Sequence, residues 1–258
     1  MEQATQFATY PSLQGHVVLI TGGASGIGEK LVEAFAQQGS RVVFLDIADE
    51  AAAALIDRLS ATAEFAPVYL HCDLIDSVAL MLCLKQIIAR FGNIDVVINN
   101  AGDDTRHTIE DVTPEFWDRC MAVNLKHQFF ISQAVIPGMK WQGRGVILNM
   151  SSISWMIPST GLPVYIASKA AIVGLTRTLA HELGPHGIRV NCILPGAIET
   201  ARQRRNWYTE EYVNEVLSHQ SIKRILQPDE VARLALFLAA DDSSAITNQS
   251  YIVDGGWV

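Results

Sequence analysis

The feature that most constrains this chain is a regular alternation of short apolar runs with longer amphipathic stretches. Runs rich in β-branched residues read as strands: "HVVLI" (16–20), "RVVFLD" (41–46), "PVYLHCD" (67–73), "IDVVINN" (94–100), "GVILNMS" (145–151), "IRVNCILP" (188–195) and "QSYIVDG" (249–255). Helical periodicity fills the gaps at Gly28–Gln38, Glu50–Ser60, Ser77–Phe91, Pro114–Met139, Pro163–Leu183 and Asp229–Ala240. A strand apolar on both faces needs cover on both sides, and parallel neighbours need a crossover between them. The alternation therefore predicts one α/β domain over 1–258, a doubly wound parallel sheet with helices on both faces. At 258 residues and 49% hydrophobic, the chain is long enough to bury that core. Two stretches depart from the rhythm. Residues 1–14 carry no period and read as a loose N-terminal arm. Residues 197–221, "AIETARQRRNWYTEEYVNEVLSHQS", follow the sixth strand, where an open sheet places its ligand crevice, and read as a substrate lid.

Charge and cysteine usage narrow the function. A net charge of −8 argues against nucleic acid and anionic membrane as partners. Cys72, Cys83, Cys120 and Cys192 lie far apart with no C-x-x-C pair, which suggests buried thiols in a reducing compartment. The seven histidines form no H-E-x-x-H, so no metal is expected. "NMSSISW" lacks the G-x-S-x-G elbow of a serine hydrolase. The first residues lack the basic and apolar regions of a signal peptide, and no apolar run approaches the ~18 residues of a membrane span. A cytoplasmic location is expected.

"VVLITGGASGIG" is a strand, a glycine-rich turn and a helix start. Gly22, Gly26 and Gly28 would let the backbone approach a pyrophosphate, with helix N–H groups aimed at its charge. The spacing G-x-x-x-G-x-G departs from the usual dinucleotide pattern, and a glycine turn can be only a turn. Asp46 adds weight, because an acid ending the second strand can bond the adenosine ribose, although it can equally cap the following helix. The same carboxylate would repel a 2′-phosphate, and Ile47 follows where a basic residue would admit one. NAD is favoured, with some NADP use open to a small side-chain movement.

"VYIASKAAIVGL" places Tyr165 and Lys169 four residues apart, on one helical face. A tyrosine at its ordinary pKa of about 10 is a poor base near neutrality, and a neighbouring ammonium favours the phenolate. The alternative is a core tyrosine beside a snorkelling lysine. Ser152, just past the fifth strand, can donate to a substrate oxygen or simply cap a turn.

"TGGASGIG" (21–28), "NNAG" (99–102), Asn124 in "VNL", Ser152, Tyr165-x-x-x-Lys169 and "PGAIET" (195–200) follow one another in an order and spacing that resembles the short-chain dehydrogenase/reductase family, over nearly the whole chain. The resemblance implies a Rossmann-type fold and an NAD-dependent enzyme. It implies Tyr165 as acid/base, Ser152 holding the reacting oxygen, Lys169 lowering the tyrosine pKa and binding the nicotinamide ribose, and Asn124 ordering a proton-relay water. The expected cofactor set is Gly22, Ser25, Gly26, Ile27, Gly28, Asp46, Ile47, Asp73, Leu74, Asn100, Ala101, Gly102, Tyr165, Lys169, Pro195, Ile198 and Thr200. A homotetramer is also implied, built through the helices at 114–139 and 163–183 and the C-terminal "YIVDGGWV".

Within the family, "YPSLQGHVVLITGG", "FLDIADE", "NNAGDDTRH", "SISW" and "NWYTEEY" resemble bacterial NAD-dependent aldose 1-dehydrogenases, the group acting on xylose, arabinose, rhamnose or fucose. The expected reaction is oxidation of an anomeric C1 hydroxyl to a lactone, with the sugar touching Ser152, Ser154, Trp155, Tyr165, Asn206 and Trp207. Asp103, Asp104, Arg106 and His107 are either sugar ligands or solvated loop charges. Arg202, Arg204 and Arg205 either attract an acid or face solvent. Two rivals stay open: a secondary alcohol or ketone of a sugar acid as substrate, and a non-catalytic NAD-binding sensor or scaffold.

Overall fold

Every residue of β1 (Val17–Thr21), β4 (Val96–Asn99) and β5 (Gly145–Met150) is buried, as strands covered on both faces must be. The computed structural model describes residues 7–258. Around those three strands lie β2 (Arg41–Asp46), β3 (Val68–His71), β6 (Ile188–Pro195) and β7 (Ser250–Val253). Among the described residues they form one sheet in the order β3-β2-β1-β4-β5-β6-β7, each pair parallel.

Alternate residues feed two cores. On one face Val18, Ile20, Val42 and Phe44 pack under α1 (Gly26–Gln37), α2 (Asp49–Ser60) and, further along, α9 (Pro228–Ala239). On the other, Leu19, Val43, Leu45 and Val97 pack under α3 (Ser77–Phe91), α5 (His127–Gln142) and α6 (Pro163–Leu183). The crossover from β1 leads to β2 on one side, while β4 lies on the other. Their carboxyl ends therefore flank a crevice, where such sheets bind ligands.

Three predicted elements differ in detail. The helix expected over 114–139 is α4 (Pro114–Met121), a π-helical turn (Ala122–Lys126) and then α5. A single widened turn leaves the apolar period almost unchanged, so it is invisible in the pattern. The irregular 197–221 segment contains α7 (Ala201–Asn206) and α8 (Glu210–His219), started by Thr200 and Thr209, whose hydroxyls accept from Gln203 N–H at 3.1 Å and Tyr212 N–H at 3.2 Å. The loose arm needs correction. Residues 1–6 lie outside the described residues, but from Tyr10 the chain is docked. Tyr10 N–H donates to Gln38 Oε1 at 2.7 Å, Leu13 is wholly buried, and its carbonyl accepts from Ser40 Oγ at 2.8 Å. A three-residue turn is too short to show a period.

Candidate active site

At the end of β1, Gly22 and Gly26 adopt φ of +65° and +59°, a left-handed backbone suited to glycine. Gly28 is required for space, since a Cβ there would stand 1.7 Å from the Gly22 carbonyl oxygen. Asn100 braces the loop from β4: its Nδ2 donates to the carbonyls of Thr21 at 3.0 Å and Gly22 at 3.1 Å. Ala101 N–H donates to Thr21 Oγ1 at 3.0 Å. Ser25 lies exposed at the N-cap of α1, with no side-chain capping bond among the described residues. A bare helix start behind side-chain-free backbone fits the pyrophosphate of a dinucleotide.

Asp46 braces the backbone just past β1 and just past β2. Its Oδ2 accepts from Ala24 N–H at 2.9 Å, tying the acid to the glycine loop, and its Oδ1 accepts from Ile47 N–H at 2.7 Å and Ala48 N–H at 3.0 Å. Each carboxylate oxygen offers about two acceptor positions, so capacity remains for a ribose hydroxyl. Ile47 is 63% exposed beside it. Asp73 and Leu74 follow β3, the carboxylate occupied with Ile75 N–H at 3.0 Å and the leucine buried.

The crevice opens into a cavity of about 590 Å³ lined by Ile27, Asn100, Gly102, Ser152, Ser154, Tyr165, Lys169, Pro195, Ile198 and Thr200. The helix period brings Lys169 Nζ to 5.4 Å from the Tyr165 ring centre. Lys169 is buried, and its ammonium donates to the Met150 carbonyl at 3.0 Å. Burial pulls its pKa down to about 8, with the Asp104 carboxylate opposing. The expectation that Lys169 would depress the tyrosine is not met by the chain's own groups. Burial, then the Asp104 charge, push the phenol above its ordinary value, with the Ser152 hydroxyl and Arg106 opposing. Lys169 donates instead to the Met150 carbonyl, and desolvation is the first cause of the phenol's rise.

Ser152 caps a short turn, accepting from Ser154 N–H at 3.1 Å, which leaves its own hydrogen to donate. Asn124 sits in the π turn, wholly buried, and clamps the loop after β4. Its Oδ1 accepts from Asp103 N–H at 2.9 Å, while its Nδ2 donates to Asp103 O at 3.1 Å and Cys120 O at 3.0 Å. Gly102 lies between Asn124 and the lysine, where a Cβ would stand 3.0 Å from Asn124 Oδ1 and 3.2 Å from Lys169 Nζ.

The substrate side is where sequence reasoning fell short. Ser154 lines the cavity, but Trp155, Asn206 and Trp207 do not. Trp155 is turned out by the short turn that Ser152 starts, Asn206 is exposed at the end of α7, and Trp207 packs under Arg106, whose guanidinium lies 5.1 Å from a ring centre. In their place stand Ile157, Gln203, Tyr212, Glu215, His219 and Trp257. Tyr212, Glu215 and His219 share one face of α8 at i, i+3 and i+7, a spacing readable in advance. Trp257 was not so readable. It stacks on His219 at 5.0 Å because the tail folds back, with Ile222 N–H donating to Gly255 O at 2.8 Å.

Two of the three lid cations are paired. Arg202 reaches Asp103 at 2.5 Å and Asp104 at 3.2 Å, and Arg204 reaches Glu199 at 2.9 Å.

A seven-stranded parallel sheet with a glycine loop, Ser152 and the Tyr165–Lys169 pair at one crevice defines an oxidoreductase fold, and residues 22–258 match the family described as enoyl-(acyl carrier protein) reductase. The chain belongs to the short-chain dehydrogenase/reductase family. Within it, the chain is 48% identical to a D-xylose 1-dehydrogenase of Caulobacter vibrioides, over 97% of this chain and 98% of that one. It is 47% identical to a probable galactose dehydrogenase of Rhizobium meliloti, over 96% of each. Among solved structures, a 7α-hydroxysteroid dehydrogenase complexed with NADH and 7-oxo glycochenodeoxycholic acid matches with a TM-score of 0.90 at 33% identity, over 96% of each chain. The chain is thus an enzyme of sugar-dehydrogenase type.

Proposed function

We propose that the protein oxidises the anomeric C1 hydroxyl of a neutral pentose or 6-deoxyhexose to the lactone, with NAD as cofactor. The observation that carries the substrate class is the near full-length similarity to two sugar dehydrogenases, at 48% and 47% identity. Pairing of Arg202 and Arg204 with the protein's own carboxylates supports it, since those cations already have partners at the surface. Ser152 donates to the C1 oxygen and orients it toward Tyr165, which takes the proton. Lys169 would hold the nicotinamide ribose and pass the proton to a water ordered by Asn124. The glycine loop would hold the pyrophosphate, Asp46 the adenosine ribose, Ile47, Asp73 and Leu74 the adenine, and Ile198 and Thr200 the carboxamide. NAD, when bound, supplies the acceptor for the C1 hydride and a positive charge beside the phenol. Residues 197–221 act as the lid over the sugar.

The assembly is a homotetramer in the cytoplasm. Trp117 of α4, Phe129 of α5 and Ile252 of β7 are each at least 41% exposed, which supports contacts through those elements. No helix among the described residues is long and apolar enough to cross a membrane.

The test is kcat/KM with NAD over aldopentoses, 6-deoxyhexoses, sugar acids and simple secondary alcohols. Neutral aldoses should lead; a sugar acid or secondary alcohol ahead by orders of magnitude overturns the reading. NADH formation with any of them excludes a non-catalytic sensor.

A further inference from the structure

Among the polar groups facing the cavity beside Ser152 and Tyr165, Asp104 is set with unusual care. Its backbone neighbour Asp103 is clamped at both its N–H and its carbonyl by Asn124. Its Oδ2 accepts from Gln203 Nε2 at 2.6 Å, and its Oδ1 faces the Arg202 guanidinium at 3.2 Å. Both carboxylate oxygens are thereby oriented, and each keeps acceptor capacity on the cavity side. Gln203 lines the cavity too, so an acceptor and an amide stand adjacent on the wall. Asp104 is close enough for its charge to act on both Tyr165 and Lys169. Arg106, on the same wall, is engaged with Trp207.

We propose that Asp104, aimed by Gln203 and Arg202, is the specificity residue that accepts a hydrogen bond from a ring hydroxyl near the oxidised carbon, and that its charge excludes carboxylated sugars. The proposal rests on the aldose reading. A hydroxyl donates to a carboxylate at full strength, whereas a substrate carboxylate meets it as a like charge in a partly desolvated pocket. The same residue therefore selects for one group and against another.

The experiment compares wild type with Asp104→Asn on a neutral aldose, its single-deoxy analogues and the corresponding uronic acid. Asparagine preserves shape and removes the charge. In wild type, loss of the hydroxyl read by Asp104 should cost ~10- to 100-fold in kcat/KM. In Asp104→Asn that one ratio should shrink by about tenfold while ratios at other positions hold, and the uronic acid should gain about tenfold relative to the aldose. Arg202→Gln keeps the carboxylate and its Gln203 contact but removes one of the two groups that aim it, so the ratio at the hydroxyl read by Asp104 should shrink less than in Asp104→Asn, and the uronic acid should stay rejected. Asp104→Ser carries the same expectation should the asparagine variant fold poorly. If wild type oxidises aldoses and the Asp104 variants keep every deoxy and uronic ratio, Asp104 is only a lid anchor and this proposal fails alone. A wild type inert on all aldoses overturns the aldose reading and this proposal with it.

Discussion

The two halves of the crevice are held by different forces. On the cofactor side the main chain of the glycine loop is braced at short range: Gly28 against Gly22, the Asn100 amide against two loop carbonyls, and the Asp46 carboxylate against the Ala24 amide. On the substrate side the segment after β6 is held by side chains, with Arg202, whose side chain is 44% exposed, on Asp103 and Asp104, Gln203 on Asp104, and Trp257 on His219. Part-buried bonds from Asn100 and Asp46 to main-chain groups hold one backbone path, whereas exposed side-chain pairs are weak and replaceable. One half is thus built to hold a constant ligand, and the other can be rebuilt for different sugars.

Where the halves meet, the largest effect is expected. Tyr165→Phe keeps the ring and removes the proton acceptor, so turnover should fall at least ~10²-fold with nucleotide binding retained. Fluorescence titration with NADH beside steady-state rates checks this. A phenylalanine variant with near-normal turnover removes Tyr165 from the chemistry.

Lys169 belongs to the same junction and should show a conflict between stability and function. Near pH 7 the ammonium is charged in both states, and only the folded chain bears the cost of burying it. Between pH about 8 and the ordinary 10.5, the folded lysine has lost its proton while the unfolded one has not, so stability rises with pH across that window. Lys169→Met should therefore be more stable than wild type at pH 7, by roughly 2–4 kcal/mol, and should lose activity. Urea unfolding at pH 7 and 9.5 would show the gain and its fall to less than half. No gain at pH 7 means that the Met150 contact compensates the burial.

A smaller effect tests the cofactor half alone. Asp46→Ala should weaken NAD by roughly 1–3 kcal/mol, because ribose hydroxyls lose a charged acceptor. NADP should not weaken in parallel, since the repulsion of its phosphate is removed. Equal losses for both nucleotides would reduce Asp46 to a brace for the Ala24 amide.

The smallest effect lies in the substrate half. Arg202→Ala removes exposed pairs worth about 0.2–1 kcal/mol, so KM for the sugar should rise less than about fivefold with kcat nearly unchanged. The salt dependence of KM should flatten as well. A collapse of kcat would show that the lid is coupled to the chemistry more tightly than its surface contacts suggest.

How much was legible before the fold was known follows the same division. Strand–helix alternation, Gly22-x-x-x-Gly26-x-Gly28, Asp46 and Tyr165-x-x-x-Lys169 are short-range signals, because turns, helix faces and strand ends are decided within a few residues of themselves. They identified the sheet and the residues at its carboxyl edge. The substrate wall was misread because proximity in sequence to Ser152 says nothing about direction: Ser154 faces the cavity and Trp155, one residue on, faces out. The chain by itself thus determined the doubly wound sheet, the phosphate loop and the tyrosine–lysine pair. Only the tertiary structure decided that Asp104, Gln203, His219 and Trp257 share one pocket, that Arg202 and Arg204 pair with carboxylates, and that burial raises the Tyr165 phenol. Contacts between residues about a hundred positions apart, and the desolvation they impose, come from packing, which no local spacing encodes.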